Sequence, residues 1–490
     1  MATLLPPPTQ APSASEQERQ GADLDLLVRE ARARQRRRRL RLLAALLGAL
    51  AIGGVVYGSF GTGGSGTAGV EAIPNGPVVN LRAFAHQGSL AFISRGTLWL
   101  LDGQRALLRR VASHGGRFRP VSPSFSPDGK WLAYLETPRS GNESYSQLWI
   151  ARSDGSDAHV IQGLQVASLY GWSPTQDLVA VAAGPERTKR PCPCYSPTTL
   201  RVASPQGSVR TLARSSWIYG AAWSPNAQSI AVSEITYPVS KLVVYPTAGG
   251  PGTTWFTMGA HQRLNRMNGI LFQLAGWWRN LGISFWVFGD GMIHNLDATP
   301  LDLVSSAGVR PRLLGRTLSD GGTDAIAATA NGNLAIVTDH GGGRAAWQDK
   351  QVELCGPISC GVVSHAPGTV TVDPAWSSNG KTLAYAQAPN VLAGPWSQKR
   401  IAAWFAAHRI LLYNTANGHT RSVPEARGAT AVNWSPNHRS LLYVRDDALW
   451  LLPTLTSQPV RIATPLFPPH NWPQYYAEIA WSAQFAWSPR

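Results

Sequence analysis

The chain has 490 residues, 44% hydrophobic and 15% charged, so it can bury a core and is not disordered throughout. Gly 48 and Pro 36 are too many for a helical protein and too few for a collagen-like chain, and 19 Trp demand a reason. Residues 1–60 hold nine Arg against five acids, leaving 35 basic and 23 acidic residues, a net +12, for the rest.

In chain order, residues 1–22 are rich in Pro, Ala, Ser and Gln and lack periodicity, which predicts a disordered tail. A dense Arg run, Arg32 to Arg41, follows. Leu42 to Phe60 is free of charge over 19 residues, a length that spans a bilayer core as helix. Arg clustered on one side predicts that residues 1–41 are cytoplasmic and that the chain beyond Phe60 is outside. The alternatives are a cleaved signal peptide, for which 41 preceding residues are long, and a nucleic-acid-binding Arg run. Beside an apolar 19-mer, anionic lipid headgroups explain that run better, and no nucleic-acid partner is expected. Residues 61–76, opening Gly-Thr-Gly-Gly-Ser-Gly, read as a flexible tether.

A repeat fills residues 77–490. Its fullest copy is Phe125-Ser-Pro-Asp-Gly-Lys-Trp-Leu-Ala-Tyr134, with further copies opening at Trp172, Trp223, Trp376 and Trp434. Intervals of 47, 51 and 153 residues predict two degenerate copies in the last gap, near Trp277-Trp278 and at Ala328–Ile336. A short copy at Phe84–Phe92 and a truncated one at Trp481-Ser482 or Trp487-Ser-Pro489 bring the number to eight and a partial. In each copy an apolar strand ends at the aromatic residue, whose ring fills the gap between neighbouring sheets. Pro-Asp/Asn-Gly then makes a tight turn and Leu/Ile-Ala-Tyr/Val opens a second strand. A third strand follows, as in Gln147-Leu-Trp-Ile-Ala151, and then an outer one, as in Val209-Arg-Thr-Leu212. Four short strands per roughly 50 residues predict one propeller blade.

The motif resembles the WD40-like repeats of the TolB propeller family, whose Trp-Ser-Pro-Asp-Gly-x-x-Leu/Ile-Ala-Phe/Tyr pattern these copies match. The resemblance implies an all-β propeller of four-stranded blades, which the apolar 19-mer precedes as a single transmembrane helix; the spacing gives eight blades, with seven as the alternative. The segment around Trp481 is expected to complete the blade begun near Gly88 and so close the ring. TolB-like propellers generally act as interaction platforms, so the resemblance implies binding rather than catalysis.

Long insertions fall between second and third strands or between blades, at one rim of such a ring, which points to that rim as the working face. The partner-binding candidates lie there: Arg187, Lys189, Arg190, Tyr195, His261, Arg263, Arg266, Lys399, Arg400, Trp404, His470, Trp472, Tyr475 and Tyr476. Ser397 is placed to cap a short helix whose stripe is Ile401, Trp404, Phe405 and His408; that stripe is either local core or contact surface. Partners of two chemistries fit a basic, aromatic rim: an extracytoplasmic protein or an anionic envelope polymer.

No Gly-x-Ser-x-Gly, Walker loop, His-Glu-x-x-His or EF-hand spacing is present, so neither a catalytic set nor a cofactor or metal is expected. The rival reading is an enzyme acting on envelope sugars or lactones at the channel mouth, which requires converging carboxylates or metal ligands. The four Cys form two close pairs, which suits an oxidising compartment. Cys355-Gly-Pro-Ile-Ser-Cys360 flanks a hairpin turn and is expected to form a cross-strand disulfide, while Cys192 and Cys194 are left open between bonded and free.

Overall fold

The computed structural model describes residues 70–72, 76–112, 118–139, 145–184, 197–259, 262–265, 267–268, 271–288, 299–317, 325–329, 331–341, 346–363, 366–391, 397–435, 437–467 and 481–488. The basic tail and the apolar 19-mer lie outside these residues. Among the described residues no helix is long and apolar enough to cross a membrane.

The repeat folds as the spacing predicts. Blade 2 shows the unit: antiparallel strands Phe118–Phe125, Trp131–Pro138, Gln147–Arg152 and His159–Val160, paired in sequence order. Blades 3, 4 and 7 repeat that order, with innermost strands Val166–Trp172, Trp217–Trp223 and Thr369–Trp376. The two degenerate copies are blades 5 and 6, opening at Leu271–Trp278 and Ile326–Ala328 and joined by one pairing of Thr317 with Thr338. Blade 8 opens at Thr430–Trp434. Its outer edge is covered by Val78–Asn80 and then Val70–Ala72, so the sheet begins inside the stretch read as tether. An extended segment beside an open strand edge pairs with it, because unpaired backbone N–H and C=O groups find partners there.

Ring closure resolves the number of blades. The innermost strand of blade 1 is Phe485–Ser488, paired with Ser89–Ser94 in the register Ser89↔Ser488. The short copy at Phe84 and the truncated C-terminal copy are therefore two halves of one motif, cut at its turn. Among the described residues the four-stranded units number eight. Trp487 takes the motif position, and Trp481 sits buried in a preceding 3-10 turn.

The motif residues explain themselves physically. In blade 2 the Ser126 hydroxyl donates to Asp128 Oδ1 (2.7 Å) and accepts from Trp131 N (3.0 Å), closing the turn around Gly129 at φ +71°. Ser224/Asn226, Ser377/Asn379 and Ser435/Asn437 repeat this bond. The Trp172 copy has Thr175 in place of Asp or Asn, and its Ser173 hydroxyl is buried without a hydrogen-bond partner. The Trp has a role beyond filling space. The Nε1–H groups of Trp172, Trp223, Trp376 and Trp434 donate to the carbonyls of Ser124, Gly171, Ala327 and Ala375. Each acceptor immediately precedes the equivalent motif position of the blade before, so the bond stitches neighbouring blades. In the degenerate blade 5, Trp278 Nε1 donates instead within its own blade, to Ser284 Oγ (2.7 Å).

The core lies between sheets. Trp131, Ala133, Leu148 and Ile150 of blade 2 pack with Trp172, Val179 and Val181 of blade 3, and a similar cluster joins blades 6, 7 and 8. Second strands are consequently buried on both faces, as at Gly282–Phe288, and read as continuous apolar runs rather than alternating ones. Outer strands such as Val209–Arg214 are half exposed.

Candidate functional site

The innermost strands of all eight blades line a central cavity of about 940 Å³. Its walls are mostly small or apolar, including Gly171, Ala221, Ala327, Ala375 and Ala431. Among its described lining residues the one acid is Asp373, at φ +53°. Its Oδ2 accepts from the Thr430 hydroxyl and from Ala431 N (3.2 Å), so this carboxylate holds blades 7 and 8 together.

The rims differ. Connections between first and second or third and fourth strands run to seven residues at most between described strands, as at 305–311 and 453–459. At the other rim stand the ends of the longer connections, Ala183 and Thr199, Pro389 and Arg409, Gly259 and Leu271, and Thr464 and Trp481. Arg187, Lys189, Arg190, Tyr195, His261, Arg266, His470, Trp472, Tyr475 and Tyr476 fall on these connections outside the described residues, as do Cys192 and Cys194. Arg263 is described and exposed, on a two-stranded hairpin, Arg263–Leu264 with Met267–Asn268.

Helix α1, Gln398–Ala406, lies on this rim. Ser397 caps it, its hydroxyl accepting from Arg400 N (3.3 Å), and Lys399 and Arg400 are exposed. Trp404 corrects the expectation of a contact residue. It is 4% exposed, packs against Trp347, Phe405 and His408, and donates its indole N–H to Pro389 O (3.0 Å). The stripe Ile401, Trp404, Phe405, His408 is thus local core, because a nine-residue helix has little stability of its own and is held by burying its apolar face. His408 is fully buried, which pulls its imidazole down to about 4 against the pull of Asp373, so it is neutral at pH 7.

Three polar clusters escape sequence reading. Lys350 is fully buried, and its ammonium donates to Asp339 Oδ1 (2.7 Å) and Gln348 O (2.8 Å), pinning the connection from Asp339 to Lys350. The Thr338 hydroxyl and His340 Nε2 both lie 2.8 Å from Glu353 Oε1 and 3.0 Å from each other. One ring nitrogen serves both contacts, so no relay from hydroxyl through imidazole to carboxylate exists. Asp302, fully buried, accepts at Oδ1 from Asn265 of the rim hairpin, while Oδ2 has no hydrogen-bond partner. Burial pushes this carboxyl up to about 7, with Asn265 opposing. Its enclosure keeps it from meeting a substrate. Among the described residues no three His, Cys, Asp or Glu side chains group as metal ligands.

Cys355 and Cys360 are joined in a disulfide across the hairpin of blade 6, with Cα atoms 4.0 Å apart. The tip of that hairpin carries Ile358, 88% exposed, at the short-turn rim.

Two further cavities are open to the surface. One, about 480 Å³, lies among short turns beside Trp277, Trp278 and Arg279. The other, about 630 Å³, lies on the long-loop rim at the ring closure and is lined by Arg95, Arg119 and Arg139. Sequence reading missed these three arginines because they come from separate segments with no shared pattern. The one local sign was Arg95-Gly96, a tight-turn pair between two apolar runs.

No family model and no curated protein sequence matches the chain. Solved structures similar to it include TolB from Acinetobacter baumannii, at 15% identity and TM-score 0.34, with 55% of this chain and 61% of that one covered. The β-propeller domain of the Trilobed protease from Pyrococcus furiosus is 9% identical, with TM-score 0.41 and 72% and 99% covered. Oligogalacturonate lyase from Vibrio parahaemolyticus is 9% identical, with TM-score 0.40 and 77% and 96% covered.

Proposed function

We propose that this chain is a binding platform: an eight-bladed propeller held outside the cytoplasm by a transmembrane helix at residues 42–60, engaging a partner through its long-loop rim without chemistry of its own. The observation that supports it best is the asymmetry of the ring. The longer connections leave from one rim, while the channel's single described acid ties blades 7 and 8 through hydrogen bonds at Oδ2. Exposed Arg263, Lys399 and Arg400 give that rim cationic groups that reach solvent. The anchor rests on the charge-free 19-mer after the Arg run, and the disulfide fits an oxidising compartment.

Two measurements test this. Protease shaving of intact cells should digest the propeller; protection of the whole C-terminal part would overturn the topology. Photo-crosslinking residues placed at Arg263 and Lys399 should yield defined adducts, and those at Arg310 and Ile358 on the opposite rim should not. Adducts confined to the opposite rim would overturn the choice of face.

A further inference from the structure

The cavity at the ring closure gathers three guanidinium groups from three places. Arg95 sits in the two-residue turn between Ser89–Ser94 and Thr97–Asp102 of blade 1. Arg119 comes from the first strand of blade 2, and Arg139 directly follows its second strand. All three are exposed, and among the described residues none forms an ion pair. The described lining residues include no acid. The carboxylate that acts on Arg95 is Asp447, whose Oδ1 already accepts from Leu466 N (3.0 Å) and Phe467 N (2.8 Å). Grouping like charges around one hollow without carboxylates is unfavourable until an anion enters.

The backbone is shaped for this grouping. Arg95 is held in the left-handed region at φ +49°, where side-chain-bearing residues are strained, and its N–H donates to Leu466 O (3.1 Å). Gly96 follows at φ +77°, and a Cβ there would stand 3.2 Å from Arg139 Nη2, so glycine leaves that guanidinium its place. Arg139 Nε donates to Phe118 O (3.3 Å), which orients the fork. The remaining described wall is apolar at Ile93, Val121, Leu466 and Phe467 and carries one polar side chain, Gln484.

We propose that this cavity binds the phosphate group of an organic phosphate ester, with the three guanidiniums around the phosphate oxygens and the ester's organic part against the apolar wall. Guanidinium forks match phosphate geometry, and a monoester, with more charge and more terminal oxygens than a diester or a carboxylate, engages three cations most fully. A volume near 630 Å³ admits a phosphate with a small organic substituent. The proposal rests on the platform reading only in giving its rim a ligand chemistry. A headgroup, a polymer repeat and a free metabolite all present this phosphate.

Isothermal titration of the full chain in neutral detergent tests it. The probes are inorganic phosphate, glycerol 3-phosphate and monomeric dihexanoylphosphatidylglycerol, with hexaglutamate as the carboxylate control. Saturable binding of a phosphate ester is expected, weakened about tenfold by each of Arg95→Gln, Arg119→Gln and Arg139→Gln. Gly96→Ala should also weaken it, and Arg310→Gln on the opposite rim should leave it unchanged. Unchanged far-ultraviolet circular dichroism and thermal midpoints establish that the variants fold. Tighter binding of glycerol 3-phosphate identifies a terminal phosphate, as on a free metabolite, and tighter binding of the phosphatidylglycerol identifies a diester, as in a lipid headgroup or polymer repeat. Absence of saturation with every phosphate probe, equal binding by the Gln variants, or stronger binding of hexaglutamate would overturn the proposal. Titration in solution is independent of topology and rim crosslinking, so either reading can fail alone.

Discussion

Replacing Asp302 by Asn should make the protein more stable, and increasingly so as pH rises. In the folded protein burial holds this carboxyl protonated up to about 7, whereas an unfolded chain releases the proton near the ordinary carboxyl value of 3.8. Between those values the folded state binds more protons. The stability linked to this group is therefore complete below 3.8 and lost as pH rises through 7. About three pKa units at 1.36 kcal/mol each give a penalty of about 4 kcal/mol at pH 8. Asn cannot ionise and retains an oxygen for Asn265. The difference in unfolding free energy between Asp302→Asn and the natural chain should climb by about 4 kcal/mol from pH 4 to pH 8. Urea midpoints followed by tryptophan fluorescence at fixed salt measure it. His408 is common to both chains and drops out of the difference. A difference constant within ~0.5 kcal/mol across this range would refute the burial argument.

His408 acts with the opposite sign. Its folded imidazole titrates at about 4 against 6.5 unfolded, so the linked stability is complete above 6.5 and lost as pH falls through 4, by about 3 kcal/mol. His408→Gln should flatten that acid limb in the same titration, and an unaltered limb would assign it elsewhere. Trp434→Phe keeps an aromatic ring but loses the bond to Ala375 O, and should cost about 1 kcal/mol, against about 3 kcal/mol for Trp434→Ala. Equal midpoints for the natural chain and the Phe variant would show that this bond contributes nothing. Lys350→Met leaves Asp339 buried without its cation and should cost about 3–5 kcal/mol, largely recovered when Asp339→Leu is added; a failure to recover in denaturation experiments would point to packing instead. Reduction of Cys355–Cys360 should cost about 2 kcal/mol, read as a lower urea midpoint in dithiothreitol.

The blade plan was written in the chain. A turn of Ser, Pro, Asp or Asn and Gly needs only its own residues, so the copies at Phe125, Trp223, Trp376 and Trp434 declare themselves locally. Copies recurring near 50 residues also mark blades 5 and 6 by spacing alone, and the stripe of α1 has the period of a buried helix face. What the tertiary structure decided is what lies between distant segments. The acceptor of each motif Trp belongs to the preceding blade, and the halves of blade 1 come from opposite ends of the chain. Trp404 turned inward because Trp347, from blade 6, waits beneath it. Asp302 and the Arg95, Arg119 and Arg139 cavity carry no motif, since burial and charge convergence are properties of the assembled ring and not of any one strand.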